Sequence, residues 1–234
     1  MSRIDIILPC YNPHYNWMDK VIISSHSIQE KLKGDELGII LVNDGSIKGI
    51  TKNDAELLKE KIPFLHYIEY EINRGKGFAV RKGAEFSKAD IFLYTDIDFP
   101  YAEESILEMI ALLKNNQTDI LFGTRDEEYY THVPPSRKMV SKMLKQFTAL
   151  LIRIPFTDTQ CGLKGFNRRG KEILLQTSID RYLFDMEFIC LASRNKNIRF
   201  QTLVIKTEPN SVFSSLSAKV LMSEIWNFLK LMVK

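Results

Sequence analysis

The 234-residue chain is long enough for one large α/β domain or two small ones, and its 45% hydrophobic and 26% charged content is that of an ordinary soluble globule. A net charge of +3 is too small to argue for nucleic acid as a partner. Three cysteines, Cys10, Cys161 and Cys190, are odd in number and lack metal-finger spacing, which argues against a disulfide scaffold and fits a reducing cytoplasm.

The opening stretch MSRIDIILPCYNP holds too short an apolar run for a signal peptide, and no run of about 18 uncharged apolar residues predicts a membrane span. Residues 4–8 read as a first buried strand, ended by Pro9, with Cys10-Tyr11-Asn12-Pro13 as a loop. A helix follows over 17–32, with Val21, Ile22 and Ile28 apolar among polar residues, and Gly34 closes it. A strand over 39–42 runs into Asn43-Asp44-Gly45-Ser46, residues that tolerate unusual backbone angles. Then come a helix over 54–62, a strand over 64–70, the loop Asn73-Arg74-Gly75-Lys76-Gly77, a helix over 78–87 and a strand over 91–94. This alternation predicts an α/β fold with a mostly parallel central sheet and helices on both faces. Ligands of such sheets sit at the carboxyl ends of the strands, where each of these polar loops falls.

Farther on, Ile106, Ile110 and Leu113 mark a helical stripe, and a strand over 120–123 ends at Thr124-Arg125. A polar, Pro-containing loop over 126–135 leads to a helix over 136–152 that carries Arg137, Lys138, Lys142 and Lys145. The stretch TDTQCGLKGF over 157–166 enters a short strand, followed by a helix over 185–193 and a strand over 199–207. The expected organisation is one catalytic domain over 1–216 and an amphipathic helix over 217–234.

The most informative stretch is IFLYTDIDFP over 91–100. An apolar run of strand length stops at Thr95, and Asp96 and Asp98 follow. Two like charges at the end of a buried strand call for a compensating cation, and Mg²⁺ or Mn²⁺ is the natural one for hard oxygen ligands. Taken alone, the pair also reads as an acidic turn capping the next helix. Each other loop has a similar double reading. Asp44 could accept hydrogen bonds from a nucleobase or ribose, or the turn around it could stabilise itself. Residues Asn73 to Gly77 could bring amides and Lys76 to a phosphate, or form a plain glycine-rich turn; they match no P-loop. Arg125 and Arg137 could grip a diphosphate in a fork, or be surface charges. Asp158 could be a turn or cap acid, and Cys161 a small buried residue.

Together these pieces resemble a family 2 glycosyltransferase of the GT-A fold. The matching segments are LPCYNP, VNDGS, NRGKGFAVRKG, TDID, GTR and DTQCGLKGF, in family order. The last is most similar to the branch that includes dolichyl-phosphate mannose and dolichyl-phosphate glucose synthases. The resemblance implies an inverting transfer of a sugar from a UDP- or GDP-sugar to a polyprenyl phosphate. It implies that Pro9, Tyr11, Asn12 and Asp44 hold the nucleoside, with Asn73 and Lys76 positioning the nucleotide. Asp96 would contact the ribose or the metal, and Asp98 would bind the metal at the diphosphate. Arg125 and Arg137 would receive phosphate charge, Asp158 would line the sugar and acceptor side, and Asp185 and Glu187 would face the acceptor. Pro100 stands where several relatives place a polar residue that assists the metal, so ligation rests more heavily on Asp98.

The acceptor decides what else is needed. A sugar hydroxyl of a cell-surface glycan needs a general base, for which Asp185 and Asp158 are the candidates. A lipid phosphate is already an anion and needs only positive charge to gather it. A non-catalytic nucleotide-sugar binding module is the reading from another class. In the tail, Leu221, Ile225, Phe228 and Met232 share one helical face opposite Lys219, Lys230 and Lys234. That face either docks on its own domain or on a homodimer partner, or lies in a membrane interface. The expected location is cytoplasmic, peripheral on the inner face of the plasma membrane.

Overall fold

The computed structural model describes residues 1–125 and 161–207. The predicted helix over 136–152, the tail helix, Arg137 and Asp158 lie outside the described residues. Within them, strands β1 (Arg3–Cys10), β2 (Glu36–Asp44), β3 (Leu65–Tyr70), β4 (Ile91–Tyr94), β5 (Ile120–Arg125), β6 (Lys164–Asn167) and β7 (Phe200–Ile205) form one sheet in the order β3-β2-β1-β4-β6-β5-β7. Strand β6 alone runs against its neighbours β4 and β5; the other pairings are parallel. The mostly parallel expectation therefore holds.

Alternate side chains of the buried strands enter two cores, one on each face. Ile4, Ile6 and Leu8 pack with Leu41 against helices α1 (Trp17–Lys31), α2 (Lys52–Lys61) and α4 (Glu103–Lys114). Ile7, Ile40, Val42 and Phe92 face α3 (Lys76–Phe86), α5 (Arg168–Leu175) and α6 (Phe184–Arg194). Burial on both faces is why these strands read as unbroken apolar runs. Phe92 and Phe166, direct partners in the β4–β6 ladder, stack at 5.5 Å between ring centroids. Truncating such a buried ring costs about 3–5 kcal/mol.

Several boundaries differ from expectation: β2 spans Glu36–Asp44 where 39–42 is expected, so Asn43 and Asp44 end the strand, and β5 runs on to Arg125. Strand β1 continues through Pro9 to Cys10, paired with Val42 and Asn43. The Ile7 carbonyl accepts from the Thr95 amide, so Pro9, two residues on, faces the same side just beyond the end of β4. Its missing N–H leaves no ladder bond unmade there. Helix α5 falls where the sequence pattern predicts no element. It is a single short segment with an internal glycine, started by the Asn167 side chain, which accepts from the Arg169 and Gly170 amides.

Candidate functional site

At the carboxyl end of β4 the chain turns at once. The Phe99 amide donates to the Asp96 carbonyl at 3.0 Å, and Phe99 adopts φ 44°, a conformation that costs a bulky aromatic residue energy. Its ring, 4% exposed, is held in the core on the α4 side, and that packing sustains the turn. Asp96 and Asp98 flank the turn, both partly exposed. The Lys76 ammonium donates to Asp96 Oδ1 at 2.5 Å, and Lys20 Nζ donates to the Asp98 carbonyl at 3.2 Å. Burial, and next the Asp96 charge, push the Asp98 carboxyl above its ordinary range. Burial alone would lower Lys76, but the charges of Asp96 and Asp185 outweigh it and hold the ammonium above its ordinary range.

The acidic pair fits a hard divalent ion. Both donors are carboxylate oxygens, and their mutual repulsion is what a cation relieves. No group of three or more His, Cys, Asp or Glu side chains that could hold a metal ion exists among the described residues. A bound Mg²⁺ or Mn²⁺ would complete its shell with water and substrate phosphate, as Mg²⁺ ordinarily does.

Three loops from neighbouring strands are stapled together beside this pair. Asn12 Oδ1 accepts from the Ile47 and Lys48 amides, and the Asn12 amide donates to Ser46 Oγ. Asn43 Oδ1 accepts from the Ser46 amide, so the second loop does stabilise itself, through Asn43. Asp44, 3% exposed, reaches across to the third loop. Its carboxylate accepts from Asn73 Nδ2 and from the Arg74 and Gly75 amides, each at 2.8 Å. That loop is pressed close. Gly45 (φ 67°) sits so near Ile72 and Asn73 that a Cβ would lie 2.5 Å from the Asn73 nitrogen. Pro9, near the end of β1, is partly buried, and Tyr11, on the loop that follows, is half exposed.

Beneath the pair lies a layer that spacing alone did not reveal. Lys164, fully buried, donates to the Cys161 carbonyl at 2.6 Å and to Asp185 Oδ1 at 2.7 Å. The Tyr94 hydroxyl donates to the same Asp185 oxygen at 2.5 Å. Asp185 is thus held inside the protein at 5% exposure by a cation and a phenol. Glu187, 2% exposed, accepts from the Ser178 and Ile179 amides and ties down the chain ahead of α6. Cys161 is fully buried, as its structural reading required. The Gly162 amide donates to the Tyr101 hydroxyl at 2.7 Å, and a Cβ on Gly162 would come within 2.8 Å of Asp96 Oδ2. Arg125 ends β5, and its charge opposes the upward push that burial, Cys161 and Asp96 exert on Tyr101. So Asp96, Asp98, Lys76, Gly162, Tyr101 and Arg125 gather at one place. Asp44 and Asn12 shape the adjoining loops. Tyr94, Tyr101 and Lys164 carry no local sequence signal of their distant partners, and Lys20 reads as an ordinary exposed helix lysine.

The sequence profile of glycosyl transferase family 2 matches residues 5–174. A dolichyl-phosphate beta-glucosyltransferase of Trichomonas vaginalis is 27% identical over 202 residues, covering 82% of this chain and 61% of that protein. The dolichyl-phosphate beta-glucosyltransferase of Saccharomyces cerevisiae is 27% identical over 224 residues, covering 86% and 66%. The chain therefore spans less than two thirds of the length of these relatives. Among solved structures, glucosyl-3-phosphoglycerate synthase from Mycobacterium tuberculosis, in complex with Mn²⁺, uridine diphosphate and phosphoglyceric acid, aligns with TM-score 0.65 at 14% identity, covering 99% of this chain and 76% of that one. The mannosyltransferase PcManGT of Pyrobaculum calidifontis, in complex with GDP-Man and Mn²⁺, aligns with TM-score 0.57 at 17% identity, covering 87% and 55%. At such identities the likeness shows a shared fold, the GT-A fold.

Proposed function

Because this chain belongs to glycosyl transferase family 2, we propose that it moves a hexose from a UDP- or GDP-sugar to a polyprenyl phosphate with a divalent cation at Asp98 and Asp96. The observation that carries this reading is the acidic pair at the end of β4, with the Lys76 ammonium already on Asp96. The dolichyl-phosphate glucosyltransferases among the relatives, such as the two described above, support the acceptor.

In this reading the loops around Pro9, Tyr11 and Asn12 hold the nucleoside, and Asp44 shapes the Asn73–Lys76 segment that positions the nucleotide. Asp98 and Asp96 would hold Mg²⁺ or Mn²⁺, which would supply positive charge at the departing diphosphate. Arg125 and Arg137 receive the rest, stabilising the transition state more than the ground state. Asp185 is placed as a support rather than as a base. Its carboxylate is bound by Lys164 and Tyr94 in the interior, so it acts as a support beneath the site. With Asp185 engaged, a hydroxyl acceptor would depend on Asp158 as base, whereas a lipid phosphate needs none. Asp158 remains the acid assigned to the sugar and acceptor side. In this reading the lysines of 136–152 gather the acceptor phosphate.

The test is release of nucleoside diphosphate from a panel of UDP- and GDP-sugars with Mn²⁺ and a short polyprenyl phosphate. Release that requires all three components is the expected result. Release with a glycan acceptor but not with the lipid would move the acceptor to a hydroxyl, and release with neither would make the protein a binder. Asp98→Asn is expected to lower turnover by about 10²–10³-fold, as for loss of one preorganised electrostatic partner.

A further inference from the structure

Lys76 is an odd place for a cation. It is the first residue of α3, and the positive end of a helix dipole disfavours an ammonium there. Its backbone cannot shift to relieve this. Gly75 at φ 113° lies against the Asp180 carbonyl, and a Cβ on Gly77 would come within 2.5 Å of the Ile179 carbonyl and 2.6 Å of Phe184. The ammonium is therefore carried on a flexible stem from a fixed anchor. Its side chain is 17% exposed and touches Asp96 Oδ1, while Asp96 keeps 43% of its side-chain surface open. A Cβ on Gly162 would lie 2.8 Å from Asp96 Oδ2 and 3.5 Å from Lys76 Nζ, so the bare glycine is what lets the ion pair lie this close to the turn.

We infer that Lys76 is an exchangeable internal counter-ion: it neutralises Asp96 in the empty protein and gives up that carboxylate when a divalent cation arrives together with a nucleoside diphosphate. The inference rests on the metal and diphosphate reading above and adds a coupling to it. A cation arriving alone must displace a tethered ammonium and leave it without its carboxylate contact, with only the charge of Asp185 nearby. A cation arriving with a diphosphate supplies the ammonium with a new partner, since lysine serves as a point charge for phosphate. Metal and nucleotide thus favour each other's binding through one side chain, and linkage makes that coupling equal in both directions. Lys76 acts on the metal through Asp96 and on the diphosphate directly.

Mn²⁺ binding to the full chain, read by electron paramagnetic resonance with and without UDP or GDP, tests this in the wild type and in Lys76→Met, with thermal melting to confirm folding. Lys76→Met removes the charge and keeps the stem. The expected result is that Lys76→Met binds Mn²⁺ alone about 10-fold more tightly than the wild type, a change of ~1.4 kcal/mol. The enhancement of Mn²⁺ affinity by nucleotide should shrink by a similar factor, and Lys76→Arg should restore it in part. Equal Mn²⁺ affinity of folded wild type and Lys76→Met in the absence of nucleotide would overturn the inference and leave the functional reading standing. No Mn²⁺ binding to either protein, even with nucleotide, would overturn both.

Discussion

Asp44 shows how one side chain organises ligand loops without leaving the protein interior. Its carboxylate satisfies two backbone amides and one side-chain amide from the loop after β3. Asn at this position offers one acceptor oxygen where the carboxylate offers two. Asp44→Asn is expected to destabilise the fold by about 1–3 kcal/mol through buried donors left unpaired, measured by urea unfolding, and to raise KM for the donor more than it lowers kcat. An unchanged urea midpoint would mean that the loop does not depend on this carboxylate. The sequence marked Asp44 as a residue of interest but could not identify its protein partners, which lie about thirty positions away. Lys164 is the opposite case. It stands within a strand, and nothing near it in sequence reveals that its ammonium ends on Asp185.

At the scale of elements, the glycines of the loops are contact points between segments. Gly162 carries the clearest consequence, because it faces Asp96 and Tyr101 from the entry to β6. Gly162→Ala places a methyl where Asp96 Oδ2 and the Tyr101 hydroxyl already crowd the space. Its expected effect is a loss of roughly 10-fold in Mn²⁺–nucleoside diphosphate affinity, equivalent to ~1.4 kcal/mol, measured by calorimetric titration. Wild-type affinity would show that the turn yields freely. Most strands and helices were readable because strong apolar runs alternate with amphipathic segments and punctuating glycines. Helix α5 was not, since its eight residues show too little pattern to separate from a loop. The direction of β6 was also hidden, because an antiparallel strand buried on both faces has the same composition as a parallel one.

Across the whole molecule, the sheet has a chemical end and a structural end. Asp119, fully buried, fastens the structural end. It accepts from the Arg199 amide at 2.9 Å and from the Asn167 side chain at 2.9 Å, joining the approaches to β5, β7 and α5. Burial alone would raise its carboxyl, but Arg199, Asn167 and Arg169 outweigh it and hold it below the ordinary range. A depressed folded value means that stability is fully present above the unfolded value of about 4 and is lost as pH falls through the folded value. Asp119→Asn should therefore cost about 3 kcal/mol at neutral pH, with the difference from wild type narrowing below roughly pH 4. Melting temperature against pH checks this, and a pH-independent difference would contradict it. The parallel architecture was legible as a whole because its strands are so uniformly apolar. The strand order was not, since nothing local states that β6 inserts between β4 and β5.

At the chemical end, the account depends on the carboxyl terminus of β4 being where the diphosphate is held. Anomalous diffraction at the manganese edge, from crystals grown with Mn²⁺ and UDP or GDP, addresses this directly. The account predicts a single strong peak bound by Asp98 and shared with the nucleotide's phosphates. A nucleotide seated elsewhere, or a peak remote from Asp98, would contradict it.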